Sequence, residues 1–288
     1  MRYLVTGASG MLGHDLQQAL LGREVTALSR SELDVTDRSA VFDAVAGHDV
    51  VFNASAYTKV DDAETHEDAA FAVNAVGTEN LAIAAHETGA RLVTISTDYV
   101  FKGDATTPYP ENAPRDPLNA YGRTKAAGEE RALTAYPDGT YIVRTAWLYG
   151  AHGPNFARTM LRLAASHDTV SVVDDQRGQP TWTADLAEQL VRLVDMDAPA
   201  GIYHGTASGE TTWFGFAQAV FEQAGLDPER VKATTSADFS RPAARPAYSV
   251  LGHDAWGAAG IPVMRDWREA LADAFDRKAF DDNAEGDR

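Results

Sequence analysis

Through the first half of the chain, short runs dense in β-branched and aromatic residues alternate with longer Ala- and Leu-rich stretches. The short runs fall at residues 3–6, 24–28, 49–53, 91–96 and 140–144. They are nearly continuous apolar segments rather than in–out alternations, which predicts parallel strands covered by helices on both faces. Between them, residues 12–21 place Leu12, Leu16, Ala19 and Leu20 on one helical stripe. Residues 67–88 predict a second helix, stopped by Gly89, and 119–136 a third, ended before Pro137. Repeated strand–helix units of this kind specify an α/β fold with a doubly wound parallel sheet of Rossmann type.

Past about Gly150 the rhythm loosens. Helices are expected at 155–165, 184–195, 213–224 and 266–275, and strands at 169–173 and 201–204. An irregular segment rich in Pro and Arg lies at 241–246, and the closing DDNAEGDR predicts a frayed tail from about residue 280. No internal repeat or low-complexity linker separates the halves. The division expected is a unit over 1–150, to which elements near 169–204 return, and a smaller C-terminal α/β region over 151–288.

The 288 residues are 44% hydrophobic and 23% charged, the balance of an ordinary globule with length enough for a large core. The charge balance changes the picture more: 25 Lys and Arg stand against 42 Asp and Glu, a net charge of −17. So acidic a chain argues against a nucleic-acid binder, which needs a basic face. Only 5 of the basic residues are Lys; adaptation to a salty cytoplasm and plain solubility both account for that surface. The lack of Cys removes disulfides, thiolate catalysis and zinc–thiolate or iron–sulfur sites. No stretch approaches the roughly 20 apolar residues of a membrane span. The opening MRYLVTGASG enters a strand without a signal-peptide apolar region, so a cytoplasmic protein is expected.

Gly7, Gly10 and Gly13 form G-x-x-G-x-x-G directly after the first strand and at the mouth of the first helix. Gly7 permits a tight turn, Gly10 lets backbone approach a pyrophosphate, and Gly13 allows helix to pack on strand. The helix N-terminus then offers free N–H groups to the anion. In that context the loop points to dinucleotide binding within 1–150, leaving 151–288 mainly for substrate. At the end of the second strand, where an NAD site often places a carboxylate against the ribose 2′-hydroxyl, stand Ser29 and Arg30. Arg30 suits a 2′-phosphate, which favours NADPH while leaving NADH open. Asp34 and Val35 are placed to flank the adenine.

Tyr121 and Lys125 form Y-x-x-x-K, one turn apart on a helix and so on one face. An ammonium beside a phenol lowers a pKa that is ordinarily about 10, so the tyrosine exchanges a proton with a substrate oxygen near neutral pH. With 10 Tyr and 5 Lys, chance supplies roughly 0.2 such pairs per chain, so position matters more than the motif. The pair opens the helix that follows strand four, and Ser96-Thr97-Asp98 closes that strand. Ligands of open α/β sheets bind at the C-terminal ends of strands, and Thr97 completes a Thr–Tyr–Lys set there.

TGASGMLG with the Tyr121/Lys125 pair resembles the extended short-chain dehydrogenase/reductases. Longer segments narrow the resemblance to the dTDP-4-dehydrorhamnose reductases: STDYVFKG (96–103), PYPEN (108–112), PLNAYGRTKAAGE (117–129) and VRTAWLYG (143–150). NFARTMLRLA (155–164), VVDDQRGQPTWTADLA (172–187), GIYHGTASGETTW (201–213) and RPAARPAYSVL (241–251) continue it in the same order. The match runs from about residue 3 to 275.

The resemblance implies hydride transfer from NADPH or NADH to the C4 ketone of dTDP-4-dehydro-L-rhamnose, giving dTDP-L-rhamnose. In that chemistry Tyr121 protonates the C4 oxygen, Lys125 holds the nicotinamide ribose and tunes Tyr121, and Thr97 bonds the reacting oxygen. Asp98 lies beside it on the sugar, and Trp147 packs in the sugar site. Met11 and Leu12 fall at the cofactor loop; Ala54, Ser55, Ala56, Tyr57 and Thr58 fall after strand three, beside the cofactor. Arg241 and Arg245, stiffened by prolines, are candidates for the substrate diphosphate, with a surface loop as the alternative. No metal ligand set is assigned. The resemblance leaves a homodimer open and implies an upstream epimerase that supplies the keto-sugar; no patch in the sequence carries either.

Two other functions use the same scaffold. One is a non-catalytic, NADP-binding regulatory subunit like that of methionine adenosyltransferase, which has no need of an intact Thr97–Tyr121–Lys125 set. The other is a different nucleotide-sugar reductase, epimerase or dehydratase; a dehydratase wants a second carboxylate after Asp98, where Tyr99 stands.

Overall fold

The computed structural model describes residues 1–239 and 241–281. Its centre is a six-stranded parallel sheet. The strands are β1 (Arg2–Thr6), β2 (Glu24–Leu28), β3 (Val50–Asn53), β4 (Arg91–Thr97), β5 (Thr140–Thr145) and β6 (Gly201–His204), in the spatial order β6-β5-β4-β3-β1-β2. β3 and β5 are buried at every position, the physical reason for their unbroken apolar sequences. Strand order reverses at β1 and β3, and the crevice beyond their C-terminal ends is where such sheets take ligands.

Helices α1 (Met11–Ala19), α2 (Arg38–Val45), α3 (Thr78–Thr88) and α4 (Ala120–Ala135) cover the sheet with α6 (Thr183–Asp195). One core layer joins Leu12 and Leu16 of α1 to Val5, Phe52, Val143, Leu186 and Leu190. The opposite layer joins Leu4, Val51, Leu92 and Ile142 to Leu81 of α3 and Val41 of α2. Burying each such side chain contributes about 1.5–3 kcal/mol, so the two faces fix the sheet firmly. Asn119 caps α4 by accepting from the Gly122 amide, and Gly89 closes α3 with a left-handed φ of 75°.

The expected helix over 67–88 is interrupted. Glu67–Phe71 is α-helical, Ala72–Gly77 widens into a π-helical turn, and α3 follows. An apolar stripe cannot reveal such a turn, because both neighbouring helices keep the same buried face. The short α2, capped by Asp37, was not expected from the pattern.

In the C-terminal region a second core gathers Tyr149, Trp182, Phe216, Phe221 and Trp267 under α5 (Phe156–Ser166), α7 (Trp213–Gln223) and α8 (Trp267–Asp276). Of the elements near 169–204, β6 pairs with β5 in the central sheet and α6 packs against α1. The strand Val170–Val173 instead pairs in parallel with Val231–Thr234, which the pattern did not disclose. Phe280 is buried against Tyr149 and Phe275, so packing extends through that residue; the remainder of the expected tail, 282–288, lies outside the described residues. Among the described residues, no helix is long and apolar enough to cross a membrane.

Candidate active site

The turn from β1 into α1 is built by glycine. Gly7 has φ 68°, and a Cβ there would lie 2.7 Å from the Ala54 carbonyl. A Cβ on Gly13 would lie 2.3 Å from the Gly7 carbonyl oxygen. The first turn of α1 has no side-chain cap, so its amides face a cavity of about 790 Å³ at the sheet's C-terminal edge. Uncapped amides at a helix N-terminus, with backbone too close for any Cβ, fit a dinucleotide pyrophosphate. Gln17 donates to the Ala8 and Gly13 carbonyls at 3.0 Å each and braces the loop.

The cavity wall after β3 rests on a buried polar chain. Thr6 Oγ1 donates to Asn53 Oδ1 (2.8 Å), Asn53 Nδ2 to Thr94 Oγ1 (3.0 Å), and Ser55 Oγ to Thr6 Oγ1 (2.9 Å). These bonds tie the ends of β1 and β3 to the middle of β4 under the loop 54–58. Asn74, turned inward by the π-helical turn, accepts from the Tyr57 amide (2.8 Å) and donates to Thr124 of α4 (3.0 Å). It holds the loop after β3 against the helix bearing Tyr121 and Lys125. The tyrosine of that loop, Tyr57, donates its hydroxyl to Asp62.

Thr97, Asp98, Tyr121 and Lys125 meet on the same cavity. Thr97 Oγ1 donates to Asp98 Oδ1 at 2.9 Å and accepts from the Tyr99 amide at 3.2 Å. Asp98 Oδ2 has no hydrogen-bond partner among the described residues, and burial pushes that carboxyl up to about 6. Lys125 is buried, with Nζ donating to the Ile95 carbonyl at 2.6 Å; burial pushes its ammonium down to about 8 against the charge of Glu129. One turn along α4, Glu129 accepts from Ser96 (2.5 Å) and twice from Arg144 (2.9 and 2.7 Å), a buried pair that locks this face to β4 and β5.

The expected lowering of the Tyr121 phenol by Lys125 is not met in this geometry. Burial first, then the Asp98 charge, raise the phenol above its ordinary value, while the nearby Thr97 hydroxyl pulls the other way. The lysine's ammonium is turned to the Ile95 carbonyl instead. Tyr121 therefore carries its proton throughout the neutral range.

Of the other residues expected at the site, Gly7, Gly10, Met11, Leu12, Gly13, Arg30, Asp34, Val35, Trp147 and all of Ala54, Ser55, Ala56, Tyr57 and Thr58 line this cavity. Ser29 does not; its amide and hydroxyl are taken by Glu32. Asp34 accepts from the Thr36 amide and hydroxyl, closing the turn that carries Val35 to the wall.

Trp147 has a left-handed φ of 48°, a strain of about 1–3 kcal/mol for a bulky residue. Its indole stacks on Trp213 at 3.7 Å and 10° between planes, and Phe156 tilts against Trp213 at 4.5 Å. Trp213 was not singled out in the sequence; its only signal was its place at the end of the GETTW segment. With Tyr99 it also borders a second cavity of about 760 Å³, walled by α5, Val170–Val173 and residues of 236–239 and 241–245.

Arg241 and Arg245 edge that second cavity rather than the first. Both are held by one carboxylate: Arg245 Nη2 lies 3.0 Å and Arg241 Nη1 3.4 Å from Asp61. Burial pushes the Asp61 carboxyl up, but the Ala243 amide and the two guanidiniums outweigh it and hold it below the usual range. Among the described residues, no group of three or more His, Cys, Asp or Glu is arranged to hold a metal ion.

Residues 1–280 match the family described as RmlD substrate binding domain. A dTDP-4-dehydrorhamnose reductase of Streptomyces griseus is 54% identical over 282 residues, covering 95% of this chain and 93% of that protein. A dTDP-4-keto-6-deoxy-D-glucose reductase of Streptomyces niveus is 50% identical over 278 residues, covering 95% and 96%. The solved structure of a dTDP-4-dehydrorhamnose reductase from Bacillus anthracis in complex with NADP superposes with a TM-score of 0.92 at 38% identity, covering 96% of this chain and 99% of that one.

Proposed function

This chain belongs to the dTDP-4-dehydrorhamnose reductases, NAD(P)H-dependent oxidoreductases, and from that membership we propose that it reduces the C4 ketone of dTDP-4-dehydro-L-rhamnose to the alcohol. The observation that carries this reading is the meeting of Thr97, Tyr121 and Lys125 with the glycine loop on one cavity, which shares Tyr99 and Trp213 with a second. A molecule that must present a ketone beside a nicotinamide while anchoring a nucleoside diphosphate elsewhere fits two joined chambers.

A reduced nicotinamide bound in the first cavity supplies the hydride. Tyr121, held in its neutral form, gives its proton to the C4 oxygen as charge develops there. The Thr97 hydroxyl, whose one proton goes to Asp98, would turn that proton to the same oxygen. Asp98, on the wall of the same cavity, would meet the sugar, and buried Lys125 would orient the cofactor's ribose. Trp147 and Trp213 give the sugar an apolar stacking wall. Arg245 and Arg241 take the diphosphate, exchanging Asp61 for a stronger bidentate anion. An epimerase acting just upstream would supply the ketone.

The test is absorbance at the nicotinamide band, with the keto-sugar made in place by such an epimerase. Substrate-dependent oxidation of NADPH or NADH, lost in Tyr121→Phe, is the expected result. Cofactor binding without oxidation would overturn the reading in favour of a regulatory subunit.

A further inference from the structure

Three non-glycine residues among those described have a left-handed φ: Trp147, Asp197 and Lys278. Asp197 and Lys278 are exposed and lie one residue past the caps of α6 and α8, where that conformation commonly closes a helix. Trp147 has no such reason. It is bulky, follows β5 and stands on the wall of the first cavity.

What holds it is the segment 177–182. The Thr181 amide donates to the Trp147 carbonyl at 3.2 Å, and Leu148 pairs with Thr181. Gly178 pairs with Thr211 and Arg177 with Thr212, so the same segment sets Trp213, the next residue. Gln179 anchors the segment from a buried position. Its Oε1 accepts from the Leu251 amide (2.8 Å) and the Thr206 hydroxyl (3.0 Å), and its Nε2 donates to the Ala207 and Leu251 carbonyls (3.2 and 3.3 Å). The Trp147 indole stacks on Trp213 and runs against Gly178, where a Cβ would lie 2.6 Å from Cε2, 2.7 Å from Cζ2 and 2.9 Å from Nε1. Gly178 has no left-handed φ, so its backbone would tolerate alanine and the glycine serves space alone.

We propose that Gly178 is a positioning residue for the ketone reduction: its missing side chain makes the seat for the Trp147 indole, which presents the sugar ring to Tyr121. The inference rests on the proposed reduction, with the sugar in the first cavity and the nucleotide in the second. The segment 177–182 retreats only by giving up the Gln179 bonds, so a side chain at 178 moves the indole. Trp147 borders the first cavity and not the second. Its displacement therefore misaligns the ketone and leaves the nucleotide anchor in place, which costs turnover before it costs binding.

The experiment is steady-state kinetics and circular dichroism of the full chain carrying Gly178→Ala, Trp147→Ala or both. Gly178→Ala lowers kcat about thirtyfold and leaves KM for the sugar nucleotide and for NADPH within about threefold. Its dichroism loses the same stacked-indole signal, taken against the parent, as Trp147→Ala loses. In the Trp147→Ala background, Gly178→Ala changes neither kcat nor dichroism further, because the seat has no occupant. Additive losses in the double variant, or an unmoved dichroism in Gly178→Ala, would overturn the seat and leave Gly178 a structural glycine. Where Gly178→Ala alone fails to fold, the double variant has room for the methyl group: turnover equal to that of Trp147→Ala supports the seat, and continued failure to fold overturns it. A parent chain that oxidises no dinucleotide with the keto-sugar would instead remove the reduction, and the positioning role with it, whatever the dichroism shows.

Discussion

The two joined cavities are walled in different ways. The first is lined by backbone in one loop between Gly7 and Gly13 and by side chains at the end of β4 and the start of α4. The second is walled by one stripe of α5 (Phe156, Met160, Leu163) that folding brings to Val172 and Trp213, and its two guanidiniums are already held by Asp61. On the proposed function the contrast follows from what each would recognise. A pyrophosphate is invariant and is met by amides that any sequence has, provided glycine clears the way. A sugar nucleotide differs from enzyme to enzyme, and side chains must be placed to tell one from another.

If that division is real, the largest effect belongs to the reactive pair. Tyr121→Phe should lower kcat on the order of a thousandfold with NADPH affinity within about twofold, as loss of a general acid alone does. A comparable loss of cofactor binding would mean that the phenol holds the first chamber together rather than serving its chemistry.

Gly13→Ala probes the backbone half of the contrast. Its Cβ would meet the Gly7 carbonyl oxygen at 2.3 Å, so the loop must open. Dinucleotide affinity should fall about tenfold or more and the fold should lose about 1–3 kcal/mol, read by titration and thermal unfolding. Unchanged binding would show that the phosphate contacts do not depend on this close approach.

Trp213→Ala probes the other half. KM for the sugar nucleotide should rise about tenfold through loss of the stacked wall, with cofactor affinity unmoved. If cofactor affinity falls in step, the two chambers are not separable.

The mildest test is pH. Burial pushes the Lys125 ammonium down to about 8, so turnover that needs the charged form should be about half its maximum at that pH and decline above it. Stability has the opposite slope. Between about 8 and the ordinary 10.5 the unfolded chain keeps a proton that the folded chain has lost, so this group's contribution to stability rises with pH. A pH–rate profile flat through 9 would remove Lys125's charge from the mechanism.

Much of the first chamber was legible because its signals are local. Gly7, Gly10 and Gly13 fall within one strand-to-helix connection, and Tyr121 and Lys125 within one helical turn. Asn74 was not legible: it sits in a run of small apolar residues, FAVNAVG, and only the π-helical turn faces it toward Tyr57 and Thr124. The Glu32–Ser29 contact escaped for a related reason, since a carboxylate four residues past the strand end reaches Ser29 only through the turn between them.

By itself the sequence determined the doubly wound sheet, through apolar runs that only burial on both faces explains, and the helix that pairs Tyr121 with Lys125. Tertiary structure decided the rest. It raised the Tyr121 phenol above its ordinary value, because burial and the Asp98 charge outweigh the Thr97 hydroxyl while the Lys125 ammonium turns to the Ile95 carbonyl. It stacked Trp147 on Trp213 across a distance in sequence that no motif spans. Local patterns record which backbone conformations and helix faces a segment adopts. Protonation and long-range contact depend on which dielectric and which neighbours the completed fold brings to each group.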